Sequence, residues 1–188
     1  MASASNQHGP DLIYDGQTLT WNGHGTYRAS SGMVGFQLPR QQCVPEKGPV
    51  PSGNYAIALT EDKKPGQDDG TGICNLKPSS KIQRIPRGKD AGDCEPYWSL
   101  WGFYRVRLEP ADAETAQRCK PWRGGFYIHD SEKGFTHGCI EVEPGFFKEL
   151  LAYLAAMRAR RVPLRKKLSL AVRYVAERPT NGGTKKAP

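Results

Sequence analysis

No run of apolar residues in the chain approaches the ~20 needed for a helix to cross a bilayer. The opening Met1-Ala-Ser-Ala-Ser-Asn-Gln7 has neither the positive flank nor the apolar stretch of a secretory signal. We therefore expect no membrane span, and a soluble chain that does not use the Sec route. There is no internal repeat, which argues against solenoids and propellers. None of the five cysteines is paired as Cys-x-x-Cys, which weighs against a zinc ribbon or finger. No helix-turn-helix, finger or RNA-binding signature occurs, so a nucleic-acid partner would rest on net charge alone, and none is expected. No metal and no cofactor are expected either.

What is present points to short strands and many turns. Among 188 residues, 21 glycines and 15 prolines are scattered without a period, and the apolar share is 37%, enough for one core. A mainly β fold in a single domain is favoured. Residues 1–10 read as a flexible N-terminus, 11–176 as the domain and 177–188, by composition, as a disordered tail. The net charge of +8 allows acidic partners such as nucleic acid, anionic lipid or a carboxylate-rich cell wall. Much of it sits in Arg158, Arg160, Arg161, Arg165, Lys166, Lys167, Lys185 and Lys186, where helix-end and solubilising roles are the plainer explanation.

Residues 11–28 read as a β-meander, because Leu-Ile-Tyr, Thr-Leu-Thr-Trp and Thr-Tyr-Arg are separated by the tight-turn pairs Asp15-Gly16 and Asn22-Gly23. Strands are also expected at 53–59, 81–85, 98–108, 125–129 and 167–176, and a short helix or turn carrying Cys119 within 111–120. Phe146, Phe147, Leu150, Leu151, Leu154 and Met157 recur at helical spacing behind Pro144-Gly145, predicting one C-terminal amphipathic helix. Long polar loops fill the intervals.

Cys43, Cys74, Cys94 and Cys119 lie in Gly-, Pro- and Lys-rich surroundings, and zinc is their competing use. Their wide spacing favours two disulfides, with Cys139 left as a free thiol and three pairings open. Around Cys139 the residue types suit covalent catalysis. A thiol attacks a carbonyl as thiolate, so a reactive cysteine needs a nearby base, and His129 at a strand end and His137 in the turn both offer one. Gly138 permits a tight turn, in which amides near Gly138 and Cys139 would point at a developing oxyanion. The plainer alternative makes Cys139 a small buried residue and His129 a strand cap. The compact set of His129, Thr136, His137, Gly138 and Cys139 favours catalysis.

Thr136-His137-Gly138-Cys139-Ile140 resembles the [Ser/Thr]-His-Gly-Cys signature of L,D-transpeptidases, the YkuD-like cysteine enzymes acting on peptidoglycan stem peptides. Val50-Pro51-Ser52-Gly53-Asn54-Tyr55 is similar to that family's Thr-Pro-x-Gly-x-aromatic strand opening, departing at Val50. The His129 to Cys139 spacing is shorter than in housekeeping members. It resembles that of the L,D-transpeptidase effectors of bacterial type VI secretion systems, as do Tyr14-Asp-Gly-Gln-Thr-Leu-Thr-Trp21 and Tyr27-Arg-Ala-Ser-Ser-Gly32.

The resemblance implies an L,D-transpeptidase-like β-sandwich with a Cys139 nucleophile, a His129 base, and His137 and Gly138 completing the site. Substrate contacts are expected from Thr136, Tyr127, Arg123 and Ser31. Arg28, Arg105, Arg107 and Arg123 lie in or near strands that would border such a site and are unranked candidates for substrate carboxylates, with a solvated role the plainer reading for each; Trp98, Trp101 and Tyr127 are candidate cleft walls, with a place in the core the plainer reading. A monomer is expected, delivered without a Sec signal to the periplasm of target bacteria, where disulfides form. The implied partners are peptidoglycan stems, the type VI secretion machinery and a cognate immunity protein. The rivals are another wall-cleaving cysteine amidase or endopeptidase, and a disulfide-stapled binding module without catalysis.

Overall fold

The computed structural model describes residues 9–161 and 165–186; residues 1–8 of the expected flexible N-terminus and 187–188 of the expected tail lie outside them. Strands β1 (Leu12–Tyr14), β2 (Thr18–Trp21) and β3 (Gly25–Ser30) form the expected antiparallel meander. Its first turn closes because the Asp15 carboxylate accepts from the amides of Gln17 and Thr18 at 2.9 and 2.8 Å, while Gly16 takes φ 105°. β4 (Gly53–Ala58) pairs antiparallel with β10 (Lys167–Val172), and β10 runs parallel to β1.

The other half contains β5 (Gln83–Arg84), β6 (Tyr104–Arg107), β8 (Tyr127–His129) and β9 (Ile140–Val142), and the short β7 (Glu109–Pro110) edges β4. The continuous order is β5-β6-β8-β9-β3-β2-β1-β10-β4-β7. β3 joins the halves, since Gly25–Arg28 pairs with β2 while Ala29 and Ser30 pair with β9. The result is a curled, mixed sheet.

Leu12, Leu19, Ile57, Val106, Ile128, Ile140 and Leu170 fill the core with Phe146, Phe147, Leu150 and Leu154 of a helix at Gly145–Ala159. The apolar stripe predicted from sequence is thus the buried face. A smaller cluster of Leu76, Ile85, Ala91 and Trp98 sits under the loops. Trp98, considered as a cleft wall, is buried in this cluster. Two disulfides form, Cys43–Cys119 and Cys74–Cys94, leaving Cys139 free. Among the described residues no helix is long and apolar enough to cross a membrane.

Two expectations fail. Residues 98–108 are not one long strand: Glu95–Trp98 is a helical turn, Ser99–Trp101 a 3-10 turn, and β6 begins only at Tyr104. Aromatic content suggested a strand, but Pro96 in the first turn favours a helix start. Gly102 then breaks the chain direction at φ 83°, where a Cβ would strike the Asp130 backbone. The C-terminal segment is likewise no free tail. Thr180 is fully buried and donates to the Ser31 carbonyl at 2.7 Å, Asn181 bridges Ser30, and Gly182 donates to the Ala29 carbonyl at 2.9 Å. Hydrogen bonds from small polar residues hold it to β3, and a criterion based on low apolar content does not register them.

Candidate active site

The strand registers assemble the site. β6, β8 and β9 place Arg105 beside His129 beside Glu141, and Val106 beside Ile128 beside Ile140. Because alternate strand residues face opposite sides, the apolar row enters the core and the polar row faces the other way. Tyr127 shares the polar face, and its amide donates to the Cys139 Sγ at 3.3 Å.

The turn before β9 is held from the core side. The Thr136 hydroxyl donates to the Cys139 carbonyl at 2.6 Å and accepts from the Gly32 and Gly138 amides at 3.2 Å each. The Ser31 hydroxyl donates to the same carbonyl at 2.8 Å and accepts from the Val50 amide at 2.9 Å. Thr136 and Ser31, expected to touch substrate, are instead buried supports of the Cys139 backbone. Gly138 adopts φ 110°, and a Cβ there would lie 2.5 Å from Arg123 Nη2 and 2.8 Å from the Phe126 ring. Its amide faces Thr136, so the oxyanion donor expected near Gly138 narrows to the Cys139 amide, which has no acceptor among the described residues.

The two histidines differ sharply. His129 is 2% exposed, stacks edge-on against Trp101 at 5.2 Å, and its Nδ1 lies 3.1 Å from the Ser131 hydroxyl. Ser131 in turn donates to the Glu141 carboxylate. His137 is exposed, with Nδ1 2.9 Å from the Glu46 carbonyl. No hydrogen bond joins His129 to Cys139 in this structure: the thiol is bonded to the Tyr127 amide and the ring to Ser131.

Burial pushes the Cys139 thiol up to about 11, against the Tyr127 amide and the cations Arg105, Lys133 and Arg123, which pull it down. Burial also holds His129 well below the ordinary histidine range, and Lys133 and Arg105 add to the effect. The resting pair is therefore a neutral thiol beside a neutral imidazole. Arg105 is buried, packed over the rings of Trp101 (4.6 Å) and Tyr127 (4.4 Å), and donates to Gln83 Oε1 and the Leu76 and Lys77 carbonyls. Arg123 donates to the carbonyls of Gln42, Gly48 and Pro49. Arg105 and Arg123, two of the four arginines considered for carboxylate binding, thus direct these donors to the protein while keeping their charge near the thiol. Arg28 and Arg107 are ion-paired with Glu143 and Glu109.

A cleft of about 290 Å³ opens at Cys139, lined by Glu46, Trp101, Trp122, Arg123, Phe126 and His137 among others. Tyr127 lies beneath it, buried, and touches it through Trp101 at 5.4 Å. A larger hollow of about 610 Å³ at Arg40, Arg118 and Arg173 is lined by no cysteine and no histidine. Asp68 lies near the sulfurs of Cys74 and Cys94, but those sulfurs are bonded to each other and offer no thiolate to a metal. Sequence reasoning missed Ser131, Glu141, Glu46 and Trp122. Only Glu141 left a signal, since it lies two residues beyond Cys139 in an otherwise apolar strand. Comparison with protein-family models and with curated proteins gave no match.

Proposed function

We propose that the chain is a cysteine-dependent L,D-transpeptidase and L,D-carboxypeptidase acting on peptidoglycan tetrapeptide stems. On this reading the curled sheet is an L,D-transpeptidase-like β-sandwich, delivered by a type VI secretion system into the periplasm of target bacteria and restrained in the producer by an immunity protein. The observation carrying it is the one free cysteine among the described residues, fixed on a glycine turn at a cleft mouth, beside a strand that presents the buried His129. The Thr-His-Gly-Cys resemblance supplies the substrate class.

Because thiol and imidazole are both neutral at rest, proton transfer accompanies attack. His129 takes the Cys139 proton as Sγ adds to the carbonyl of the diaminopimelate residue, and the Cys139 amide receives the oxyanion. Collapse breaks the bond to the terminal D-alanine, which leaves with the proton from the imidazolium, and a thioester remains. Water then releases a tripeptide stem, or the amine of a D-amino acid exchanges the terminal residue. Either product is a poor donor for crosslinking.

Mass spectrometry of tetrapeptide muropeptides, incubated with wild type and with Cys139→Ala, with and without D-methionine, tests this. Loss of D-alanine or its replacement by D-methionine, with wild type alone, is expected. Cleavage at another wall bond would move the assignment to a cysteine amidase or endopeptidase. An unchanged spectrum with folded protein would overturn catalysis on these stems.

A further inference from the structure

The buried polar row contains more than a cysteine and a histidine. Glu141 is fully buried, and among the described residues no arginine or lysine lies within salt-bridge distance of it. Its Oε1 accepts from the Gly134 amide at 2.6 Å and the Thr184 hydroxyl at 2.5 Å, and its Oε2 from the Lys133 amide at 2.9 Å and the Ser131 hydroxyl. Main-chain N–H groups can only donate, and one reaches each oxygen, so both oxygens act as acceptors. The Ser131 hydroxyl has a single proton. Once that proton points at Glu141, the Ser131 oxygen can only accept from His129 Nδ1, 3.1 Å away.

We infer that Glu141, acting through Ser131, fixes His129 in the Nδ1–H tautomer and leaves its Nε2 lone pair free as the base. Both are positioning residues, because neither lines the cleft. When His129 takes a proton at Nε2, the imidazolium is held by a carboxylate one hydroxyl away, and no proton need leave Ser131 or Glu141. The segment 180–184 joins this arrangement through Thr184, which couples the C-terminal strap to the orientation of the ring. Use of the lone pair against Cys139 rests on the reading proposed above, whereas the tautomer does not.

Long-range 1H–15N correlation of the imidazole rings in the folded wild type tests the assignment without any variant. The expected spectrum shows His129 with a protonated Nδ1 and a bare Nε2, and the opposite pattern overturns the inference. Ser131→Ala should shift the tautomer towards Nε2–H, and Ser131→Thr should restore it. Loss of the Ser131 hydroxyl should lower kcat about 10–100-fold with little change in KM, the usual scale when a hydrogen-bond partner that orients a histidine is removed. A wild type that shows Nδ1–H but forms no L,D-product would sink the proposed activity and leave the tautomer standing. An active enzyme with Nε2–H would do the reverse.

Discussion

Cys139 stands between two walls built by different means. The inner wall is Ser31, Thr136 and β8, whose two hydroxyls and Tyr127 amide are buried and bonded to Cys139 itself. The outer wall is the segment from Gln42 to Pro49, which contains no regular strand and is tied down by three carbonyl contacts to Arg123, one to His137 and the Cys43–Cys119 disulfide. A buried hydroxyl with both partners in place has no lower-energy alternative, whereas surface carbonyls can exchange their partners for water. The position of Cys139 is therefore fixed from inside, and access to it is set from outside.

The largest effect should come from the outer wall's covalent tie. Cys43→Ser with Cys119→Ser opens a loop spanning 76 residues, for which chain entropy alone predicts a loss of about 4–5 kcal/mol. The pair Cys74→Ser with Cys94→Ser spans 20 residues and should lose about 3 kcal/mol. Denaturant titration measures both. Activity separates them further: the first bridge lies within the Gln42–Pro49 wall, whereas the second reaches the cleft only through the cluster on which Trp101 packs, so kcat/KM should fall more in the first variant than in the second once the unfolded fraction is removed. Equal losses of specific activity would break the distinction between the walls.

Next in size are the hydroxyls of the inner wall. Thr136→Val keeps the shape but leaves the Gly32 amide and Cys139 carbonyl short of a partner, and Ser31→Ala strands the Val50 amide. Each should cost about 1–3 kcal/mol, the usual penalty for an unsatisfied buried group. Because Ser31 and Thr136 share one carbonyl, the double variant should be non-additive, and a thermodynamic cycle measures the coupling. By contrast, His137→Ala on the outer wall should change stability by less than about 0.5 kcal/mol, as exposed substitutions commonly do. A large loss there would show that the outer wall is as firmly built as the inner one.

The same contrast explains what could be read from the sequence. The meander was legible because Asp15-Gly16 and Asn22-Gly23 encode their turns locally, and the helix because Phe146, Phe147, Leu150 and Leu154 repeat at its period. Cys139 as the free thiol followed from loop context. The roles of Ser31 and Thr136 did not, because a hydroxyl that supports a backbone carbonyl 108 residues away looks in sequence like one that greets a substrate. The disulfide partners, the break at Gly102 and the docking of Thr180 and Thr184 depend on contacts between distant segments, and composition does not report those. Glu141 is the instructive case: a lone carboxylate in a buried strand has to be paired with donors, yet which donors is a tertiary fact.

The last effect is silent at neutral pH. In the unfolded chain the Cys139 thiol titrates near its ordinary value of 9.0, and in the folded protein burial raises it to about 11. Between these values the folded state keeps a proton that the unfolded state has lost. Folding stability contributed by this group is thus fully present below pH 9 and declines as pH rises towards 11. His129 has the opposite sign: its folded value is depressed, so the unfolded state binds a proton first as pH falls below the ordinary 6.5, and stability declines on the acid side. Alkylation of the free protein by iodoacetamide should accordingly be slow at pH 7 and rise with a midpoint near about 11. His129→Ala should leave that midpoint nearly in place, since no hydrogen bond ties the resting imidazole to the thiol. A midpoint several units lower in wild type, lost in the variant, would instead reveal a preformed thiolate–imidazolium pair and shift proton transfer ahead of substrate attack.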